Sequence, residues 1–330
     1  MCLQADQTTA INRWFSGPSK HSIQGGEKRL RQFMMLRIAS SISSMFTQTT
    51  SSGELKTISE LPRTGRLVDG VSRLHLLSYN IQGGMASRSY RHYLTHSWKH
   101  VLPDPQRLDN LDRIAQLVRE SDLVGLQEVD AGSLRSGFIN QTEYLARRAH
   151  FPHWYDQTNR NLGMLAQHSL GLLSRVRPSK IVEHKLPGMI PGRGALKVQF
   201  GDDQNAMILF IVHFALGRRA RMRQIGYISE LVSDYRHVIL MGDLNCRSDS
   251  KEMQFLLKRT DLREPIHGLY TFPSWRPYRN IDHILVSPSL QVKKVRALNY
   301  PFSDHLPIQM EVCLPEDLKL THHWSTAQCA

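Results

Sequence analysis

The segment V-I-L-M-G-D-L-N-C, Val238–Cys246, indicates the fold of the chain more clearly than any other stretch. Its four apolar residues, 238–241, have the length and composition of a buried β-strand. Side chains two positions apart in a strand point the same way, which predicts that Asp243 and Asn245 leave the strand end together. Gly242, just before them, permits close approach of backbone or ligand. The segment alone fits either an Asp/Asn turn or an oxygen-rich corner that holds a hard cation and a phosphate.

Composition places the chain among globular proteins. It has 330 residues, 41% of them hydrophobic and 22% charged, which is enough for one large or two ordinary domains. The formal net charge of +13 favours an anionic partner, although a solvated basic face gives the same balance. The four cysteines form no C-x-x-C pair, which excludes a zinc ribbon and a thioredoxin-type motif and fits reduced thiols in a cytoplasmic protein.

Composition also predicts the domain boundaries. Residues 1–70 are rich in Ser, Thr, Arg and Lys and are expected to form a poorly structured basic extension. Only Phe33–Phe46 within them is apolar enough for a helix, which leaves a targeting segment, a flexible tail and a peripheral membrane helix open. We expect a catalytic domain over 71–315 and a C-terminal tail over 316–330.

Polar side chains recur where the predicted apolar strands begin or end. Glu128 lies in the run L-V-G-L-Q-E-V, where an unpaired charge would be costly, and this favours a cation ligand over an edge carboxylate paired with arginine. His213 ends the run A-M-I-L-F-I-V-H-F and is a candidate acid or base rather than a core histidine. Sheets place such strand ends along one edge, so we expect a single site. Its members are Asn80, Glu128, His213, Asp243, Asn245, Asp282, Asp304 and His305.

Two basic segments are candidates for substrate binding. The first, G-R-R-A-R-M-R at Gly217–Arg223, opens a predicted helix, and Arg218 in it is placed to attract phosphate unless these arginines form a solvated face. The second, Thr271–Asn280, interleaves aromatic residues with arginines. Its Trp275 and Arg279 are expected to form a wall on which a base stacks, or the segment is simply a proline-rich crossover.

Two helix starts are predicted from capping patterns. Asn140 with Glu143 predicts the start of a helix that runs to Ala149. Asp249 with Glu252 predicts another that runs through Leu257.

The motifs together resemble the endonuclease/exonuclease/phosphatase superfamily with the DNase I-like fold, and specifically its bacterial-type metal-dependent hydrolases. The chain has no G-x-S-x-G, P-loop or H-E-x-x-H motif, which argues against the rival hydrolase classes. Matching stretches occur in the family's order from about residue 73 to 314. They are S-Y-N-I (78–81), Q-E-V (127–129), G-L-L-S-R (171–175), R-G-A-L (193–196), V-H-F (212–214), G-D-L-N (242–245), I-D-H-I-L (281–285) and S-D-H-L-P (303–307).

The resemblance implies an α+β fold, a four-layered α/β-sandwich of two packed mixed β-sheets flanked by helices. It implies a metal-dependent phosphoesterase that hydrolyses a phosphodiester or phosphomonoester by attack of an activated water. The alternatives are a DNA or RNA endonuclease proper and a phospholipid or phosphoinositide head-group phosphodiesterase; a non-catalytic binding protein on this scaffold is a further one. We expect a phosphate-ester substrate, no stable protein partner, and leave peripheral membrane contact open.

The resemblance also implies roles for individual residues. Mg²⁺, or Mn²⁺, would be held by Glu128, Asn80 and Asp304. The catalytic residues implied are His305, oriented by Asp282, together with Asp243, Asn245 and His213. Arg193 is implied as a phosphate contact, beside the Arg218, Trp275 and Arg279 expected above. The chain departs from the family at Leu170, where many members have Asn, and at Val212, where Thr is common.

Overall fold

The strands form two mixed β-sheets that pack face to face. The computed structural model describes residues 59–60, 66–69, 72–85, 106–161, 167–188, 192–202, 205–318 and 320–324. The strands are β1 (Ser59–Glu60), β2 (Arg66–Asp69), β3 (Arg73–Asn80), β4 (Leu123–Asp130), β5 (His153–Asn161), β6 (Gln167–Ser174), β7 (Lys180–Lys185), β8 (Gly194–Phe200), β9 (Met207–His213), β10 (His237–Asp243), β11 (Asp282–Val286), β12 (Gln291–Ala297), β13 (Ile308–Cys313) and β14 (Thr321–Trp324). The helices are α1 (Gln106–Val118), α2 (Gln141–Ala149), α3 (Arg218–Val232) and α4 (Lys251–Arg259), and short 3₁₀ turns cover Gln82–Gly84 and Leu134–Ser136.

One sheet has the strand order β1-β5-β6-β4-β3-β13-β12 and the other has the order β11-β10-β9-β8-β7. The pairs β3–β4 and β9–β10 are parallel, and the remaining neighbours within these two sheets are antiparallel. Strands β2 and β14 form a separate antiparallel pair. The two parallel pairs carry four of the predicted site residues at or near their strand ends: Asn80, Glu128, His213 and Asp243.

Three apolar layers explain why the central strands read as continuous hydrophobic runs, since both of their faces are buried. In β3, Leu74 and Leu76 face the layer between the sheets, where they join residues of β9 and β10. The alternate side chains Leu77 and Tyr79 face α1 and α2. Helices α3 and α4 cover the outer face of the other sheet. The predicted four-layered sandwich of two packed mixed sheets is therefore confirmed.

Described strands lie on both sides of the predicted 71–315 domain. Strands β1 and β2 precede residue 71, and β14 follows residue 315. Because β14 pairs with β2, strand pairing joins the predicted extension to the predicted tail. The candidate helix Phe33–Phe46 lies outside the described residues. In the part of the chain that the structure describes, no helix is long and apolar enough to cross a membrane.

The capping patterns had mixed outcomes. The Asn140 side chain accepts a hydrogen bond from the Glu143 backbone N–H at 3.1 Å, as predicted for α2. The N-cap of α4 is Ser250 rather than Asp249, because the Ser250 hydroxyl accepts from the Met253 N–H at 3.1 Å. Serine and aspartate are both favoured N-cap residues, but only Asp249 has a glutamate three positions later, so the capping-box pattern selected the wrong residue. Glu252 instead accepts a hydrogen bond from Arg221.

Candidate active site

Three neighbouring strands bring the central acidic and histidine side chains together. In the register of the sheet, Asp243 of β10 lies opposite His213 of the parallel strand β9. On its other side Asp243 lies opposite Asp282, the first residue of the antiparallel strand β11. Two strand ends and one strand start therefore meet at one edge, as the sequence predicts for a shared site.

Gly242 allows β10 to approach β9 closely at this edge. Its φ angle is 147°, and a Cβ atom at this position would lie 1.9 Å from the Val212 carbonyl oxygen. After Asp243 the strand ends, and Asn245 takes a left-handed φ of 52°. The expectation that Asp243 and Asn245 share one face of a strand was therefore wrong. Asn245 is held by its own bonds: its N–H donates to Asp243 Oδ1 at 2.9 Å and its Nδ2 to the Phe214 carbonyl at 3.0 Å.

His305 and Asp282 form a buried hydrogen-bonded pair. The Nδ1–H of His305 donates to Asp282 Oδ2 at 2.8 Å, and the Thr271 hydroxyl donates to the same oxygen at 2.5 Å. The Phe272 ring packs against the imidazole at a centroid distance of 4.9 Å. Burial lowers the pKa of His305, but the Asp282 and Asp304 carboxylates outweigh it and hold this pKa well above its usual range. The structure therefore favours a charged imidazolium.

Asp243 lies between the two histidines. Its Oδ2 is 3.4 Å from His213 Nε2 and 3.9 Å from His305 Nε2, and it accepts from Asn80 Nδ2 at 3.3 Å. Burial raises the pKa of Asp243, but the hydrogen bond from His213 and the charge of His305 outweigh it and lower this pKa below its usual range. Asp243 is thus an ionised acceptor that receives hydrogen bonds from Asn80 Nδ2 and the Asn245 N–H, with the two histidines close by.

Glu128 is presented to the site by a β-bulge. The pairing of β4 with β6 shifts register between Leu126 and Val129, and Glu128 takes a left-handed φ of 57°. A bulge of this kind re-aims a side chain out of the regular alternation. The Glu128 carboxylate is 31% exposed and its Oε1 is 3.8 Å from His213 Nε2. Burial raises the pKa of Glu128, yet the nearby histidine charges lower it overall.

Asp130, two residues after Glu128, stabilises the turn that follows this bulge, and it was not among the predicted site residues. Its fully buried carboxylate accepts hydrogen bonds from the Gly132 and Ser133 N–H groups, from the Ser133 and Ser136 hydroxyls, and from Arg135 Nε. Burial opposes its ionisation, but Arg135 and Ser133 lower the pKa of Asp130 to about 2. The available sequence signal was D-A-G-S, an aspartate that caps its own following turn.

Asp304 lies beside Asn80. The Ser303 hydroxyl donates to the Asn80 carbonyl at 2.7 Å and lies 3.2 Å from Asp304 Oδ1. Burial, and then the Glu128 and Asp243 carboxylates, raise the pKa of Asp304 to about 6, against the opposing charge of His305. The sequence also predicts a strand that opens at Asp304-His305 and ends near Cys313, but β13 begins only at Ile308, so this start was wrong and both residues lie in the preceding loop.

The donor chemistry fits a hard divalent cation. Glu128, Asn80 and Asp304 supply carboxylate and amide oxygens, the ligand types that Mg²⁺ prefers. Burial is the main cause of the raised pKa of Asp304, and the Glu128 and Asp243 carboxylates add to it. A second trio, Asp243, Asp282 and His305, has ligand atoms within 4.8 Å of one another. We interpret it as an acid–base group because His305 Nδ1 is already bound to Asp282.

A cavity of about 790 Å³ opens beside Glu128 and His213. Arg193 and Arg218, two predicted substrate-binding residues, line it, and the Arg193 guanidinium contacts His213 Nε2. Leu170, the departure from the family pattern, also lines it.

Trp275 and Arg279 are not among the residues that line this cavity. They lie in the loop that flanks His305. The Ser274 N–H of this loop donates to the Asp304 carbonyl at 2.8 Å, and the Arg279 guanidinium lies 5.9 Å from the centre of the Phe272 ring.

Further cavity residues were not predicted individually. Arg160 and His168 reach it from β5 and β6, and Arg219 and Arg223 from α3. Arg221, in the same basic segment, is instead buried and donates to Glu252, at 2.8 Å, and to the carbonyls of the loop after β9. The basic composition of Gly217–Arg223 is visible in the sequence, but only the structure shows which of its arginines point into the cavity and which are buried.

The comparisons with known proteins agree with this architecture. The model of the endonuclease/exonuclease/phosphatase family matches residues 77–305, so the chain belongs to this family, whose members are hydrolases that act on phosphate esters. The family includes phosphatases, nucleases and phosphodiesterases. A sequence comparison with curated proteins gives no match.

Three solved structures illustrate the fold. An endonuclease/exonuclease/phosphatase from Beutenbergia cavernae is similar with a TM-score of 0.58 and 19% identity, over 74% of this chain and 72% of that one. A mannosyl-6-phosphatase from Bacteroides thetaiotaomicron has a TM-score of 0.54 and 18% identity, over 72% of this chain and 99% of that one. The human Nocturnin catalytic domain with bound sulfate has a TM-score of 0.53 and 17% identity, over 75% and 96%.

Proposed function

We propose that the protein is a Mg²⁺- or Mn²⁺-dependent phosphoesterase that hydrolyses a phosphodiester or phosphomonoester by attack of an activated water. The observation that carries this proposal is the convergence of an ionised Asp243 with two histidines beside the exposed edge of Glu128. Hydrolysis of a phosphate ester needs neutralised phosphate charge, an aligned water and a stabilised leaving oxygen. The site contains a group suited to each task.

The charge states of the side chains suggest how the work is divided. Asp243 stays ionised, so it can align a water and accept its hydrogen bond, and draw off the proton as the water attacks. His305, held charged by Asp282, can offset negative charge on the phosphorus centre. His213 and the neighbouring Arg193 face the cavity and supply donors to the phosphate oxygens and to the leaving oxygen as its bond to phosphorus breaks. A bound Mg²⁺ near Glu128 would add Lewis-acid neutralisation of a phosphate oxygen.

The test is a substrate panel with a matched control. The purified protein would be assayed against bis-p-nitrophenyl phosphate, p-nitrophenyl phosphate, plasmid DNA and phospholipid, each with Mg²⁺, Mn²⁺ or EDTA. Asp243→Asn should lower the metal-dependent rate by about 10²–10⁴. Asp261→Asn, at an exposed position, is the control and should keep the rate. A folded Asp243→Asn protein with the wild-type rate would sink the assignment.

Binding experiments with the same substrates distinguish the nuclease alternative from the head-group phosphodiesterase alternative. A steep loss of DNA affinity with rising salt would favour the nuclease alternative. A preference for anionic vesicles would favour the head-group phosphodiesterase alternative. The net charge of +13 suits either branch, so the assay has to choose between them.

A further inference from the structure

The lining of the active-site cavity carries a large excess of positive charge. Among the described residues that line it, Glu128 is the only carboxylate. Five arginines line the same cavity: Arg160, Arg193, Arg218, Arg219 and Arg223. Such a concentration of one sign of charge in a concave site raises the local concentration of anions.

Within the basic segment Gly217–Arg223, Arg221 has a clear structural role, whereas Arg219 and Arg223 do not. Arg221 faces inward, where it binds Glu252 and two backbone carbonyls. Arg219 and Arg223 are four residues apart, so they share one face of α3, and this face lines the cavity. In the part of the chain that the structure describes, neither these two nor Arg160 lies within ion-pair distance of a carboxylate.

Two of the cavity arginines, Arg218 and Arg219, lie in the first turn of α3, where they are unfavourable for the helix alone. The N-terminus of a helix carries partial positive charge and unpaired N–H groups, so cations there cost stability and anions are favoured. α3 has no acidic residue in its first turn, and its N-cap, Gly217, has no side chain to cap those N–H groups. An anion in the cavity would offset both the charge and the unpaired donors.

The cavity is also too large for a single phosphate group. A volume of about 790 Å³ lies in the range of sites that hold whole organic ligands. The phosphate that reacts must lie next to Glu128, Asp243 and His213. The α3 arginines Arg218, Arg219 and Arg223 line the same cavity, but none of them forms an ion pair with Glu128 or Asp243 in the described structure.

We propose that Arg160, Arg219 and Arg223 form a second phosphate-binding subsite in this cavity, so that the substrate is an organic molecule with at least two phosphate groups. One phosphate ester is hydrolysed at Asp243 and His305. The other does not react and is bound by Arg160, Arg219 and Arg223. This inference rests on the proposed function and narrows its substrate class.

The kinetic test uses two substrates that differ by one phosphate. They are the p-nitrophenyl esters of thymidine 5′-phosphate with and without a 3′-phosphate group. The wild-type protein should prefer the ester that carries the 3′-phosphate by about 10- to 100-fold in kcat/KM, the effect expected for charged hydrogen bonds to one phosphate. Arg219→Ala/Arg223→Ala should reduce this ratio towards one. Arg236→Ala, at a 74% exposed guanidinium outside the cavity, should preserve it.

A binding measurement separates this inference from the proposed function. Calorimetric titration would compare thymidine 3′,5′-bisphosphate with thymidine 5′-monophosphate, and inositol 1,4-bisphosphate with inositol 1-phosphate. Tighter binding of a bisphosphate, lost in the double variant, supports the subsite even if no ester is hydrolysed, and the tighter pair identifies a nucleotide or a lipid head group as the source. Equal affinity of mono- and bisphosphate in both pairs would overturn the subsite, while Asp243-dependent hydrolysis would leave the proposed function standing.

Discussion

Replacement of Asp130 by asparagine should destabilise the protein strongly, although the two side chains have nearly the same shape. Asp130 Oδ1 accepts from the Gly132 N–H at 3.0 Å, the Ser133 N–H at 2.7 Å and the Ser136 hydroxyl at 2.9 Å. An asparagine carbonyl can keep these three bonds. Asp130 Oδ2 accepts from the Ser133 hydroxyl at 2.7 Å and from Arg135 Nε at 2.5 Å, and the asparagine NH₂ group would face these donors instead.

The magnitude follows from the charge that is left behind. The Arg135 side chain is only 5% exposed, and among the described residues Asp130 is its only carboxylate partner. Removing one partner of a buried ion pair typically costs about 3–5 kcal/mol, because the remaining charge is uncompensated. The bulge that presents Glu128 lies two residues earlier, so we expect the metal-dependent rate to fall as well.

The assay is urea unfolding followed by circular dichroism, with the wild type, Asp130→Asn, Arg135→Met and the double variant. The two single variants should each lose several kcal/mol, and the double variant should lose much less than their sum. Asp112→Asn, which breaks an exposed ion pair with Arg148, is the control and should cost at most about 1 kcal/mol. A loss below about 1 kcal/mol for Asp130→Asn would refute the reasoning.

Three further predictions concern the strands around the site. Gly242→Ala should cost at least about 2–4 kcal/mol in urea unfolding, because its Cβ would collide with the Val212 carbonyl at a positive φ. Burial lowers the pKa of His237, so the unfolded chain takes up this proton first and stability should fall below about pH 6.5; unfolding between pH 7 and 5 should show a shallower slope for His237→Gln. Asp282→Asn should lower kcat by about 10²–10⁴ with little change in KM, since it removes the partner that orients and charges His305.

Each of the three has a clear contrary outcome. An alanine at position 242 that leaves stability within about 0.5 kcal/mol would show that the strand pair can relax. If the unfolding free energy of His237→Gln and of the wild type falls equally with pH, His237 does not contribute to the loss of stability in acid. An increase in KM alone for Asp282→Asn would indicate a role in binding rather than in the chemical step.

The sequence predicted the central strands well for a physical reason. Strands β9 and β10 are buried on both faces, so their sequences are nearly continuous apolar runs. Strand β5, H-W-Y-D-Q-T-N-R-N, was missed because it has no hydrophobic alternation and its second half contains a single β-forming residue, Thr158. It is a strand because it pairs along its length with β6, a tertiary effect. Strand β12 is a half-exposed edge interrupted by a bulge, which obscures its period.

For the candidate site, too, some features could be predicted from the sequence and others depend on tertiary structure. The polar residues at strand ends could be predicted because each interrupts an apolar run. Their register across β9, β10 and β11 could not, since it depends on strand order. The bulge at Glu128 and the bonds of Asp130 depend on the pairing of β4 with β6. Arg160 reaches the cavity from β5, and a strand that is not predicted cannot contribute a predicted residue.

The central claim is metal-dependent hydrolysis at Glu128 and Asp243, and a magnesium titration tests it most directly. The rate of bis-p-nitrophenyl phosphate hydrolysis would be measured against Mg²⁺ concentration for the wild type and for Glu128→Gln, with the melting temperature recorded in the same series. We predict that the wild-type rate rises to saturation with Mg²⁺ and vanishes in EDTA, and that Mg²⁺ raises its melting temperature. Glu128→Gln should lose both responses. A hydrolysis rate that is independent of Mg²⁺ and unchanged in Glu128→Gln would contradict the account.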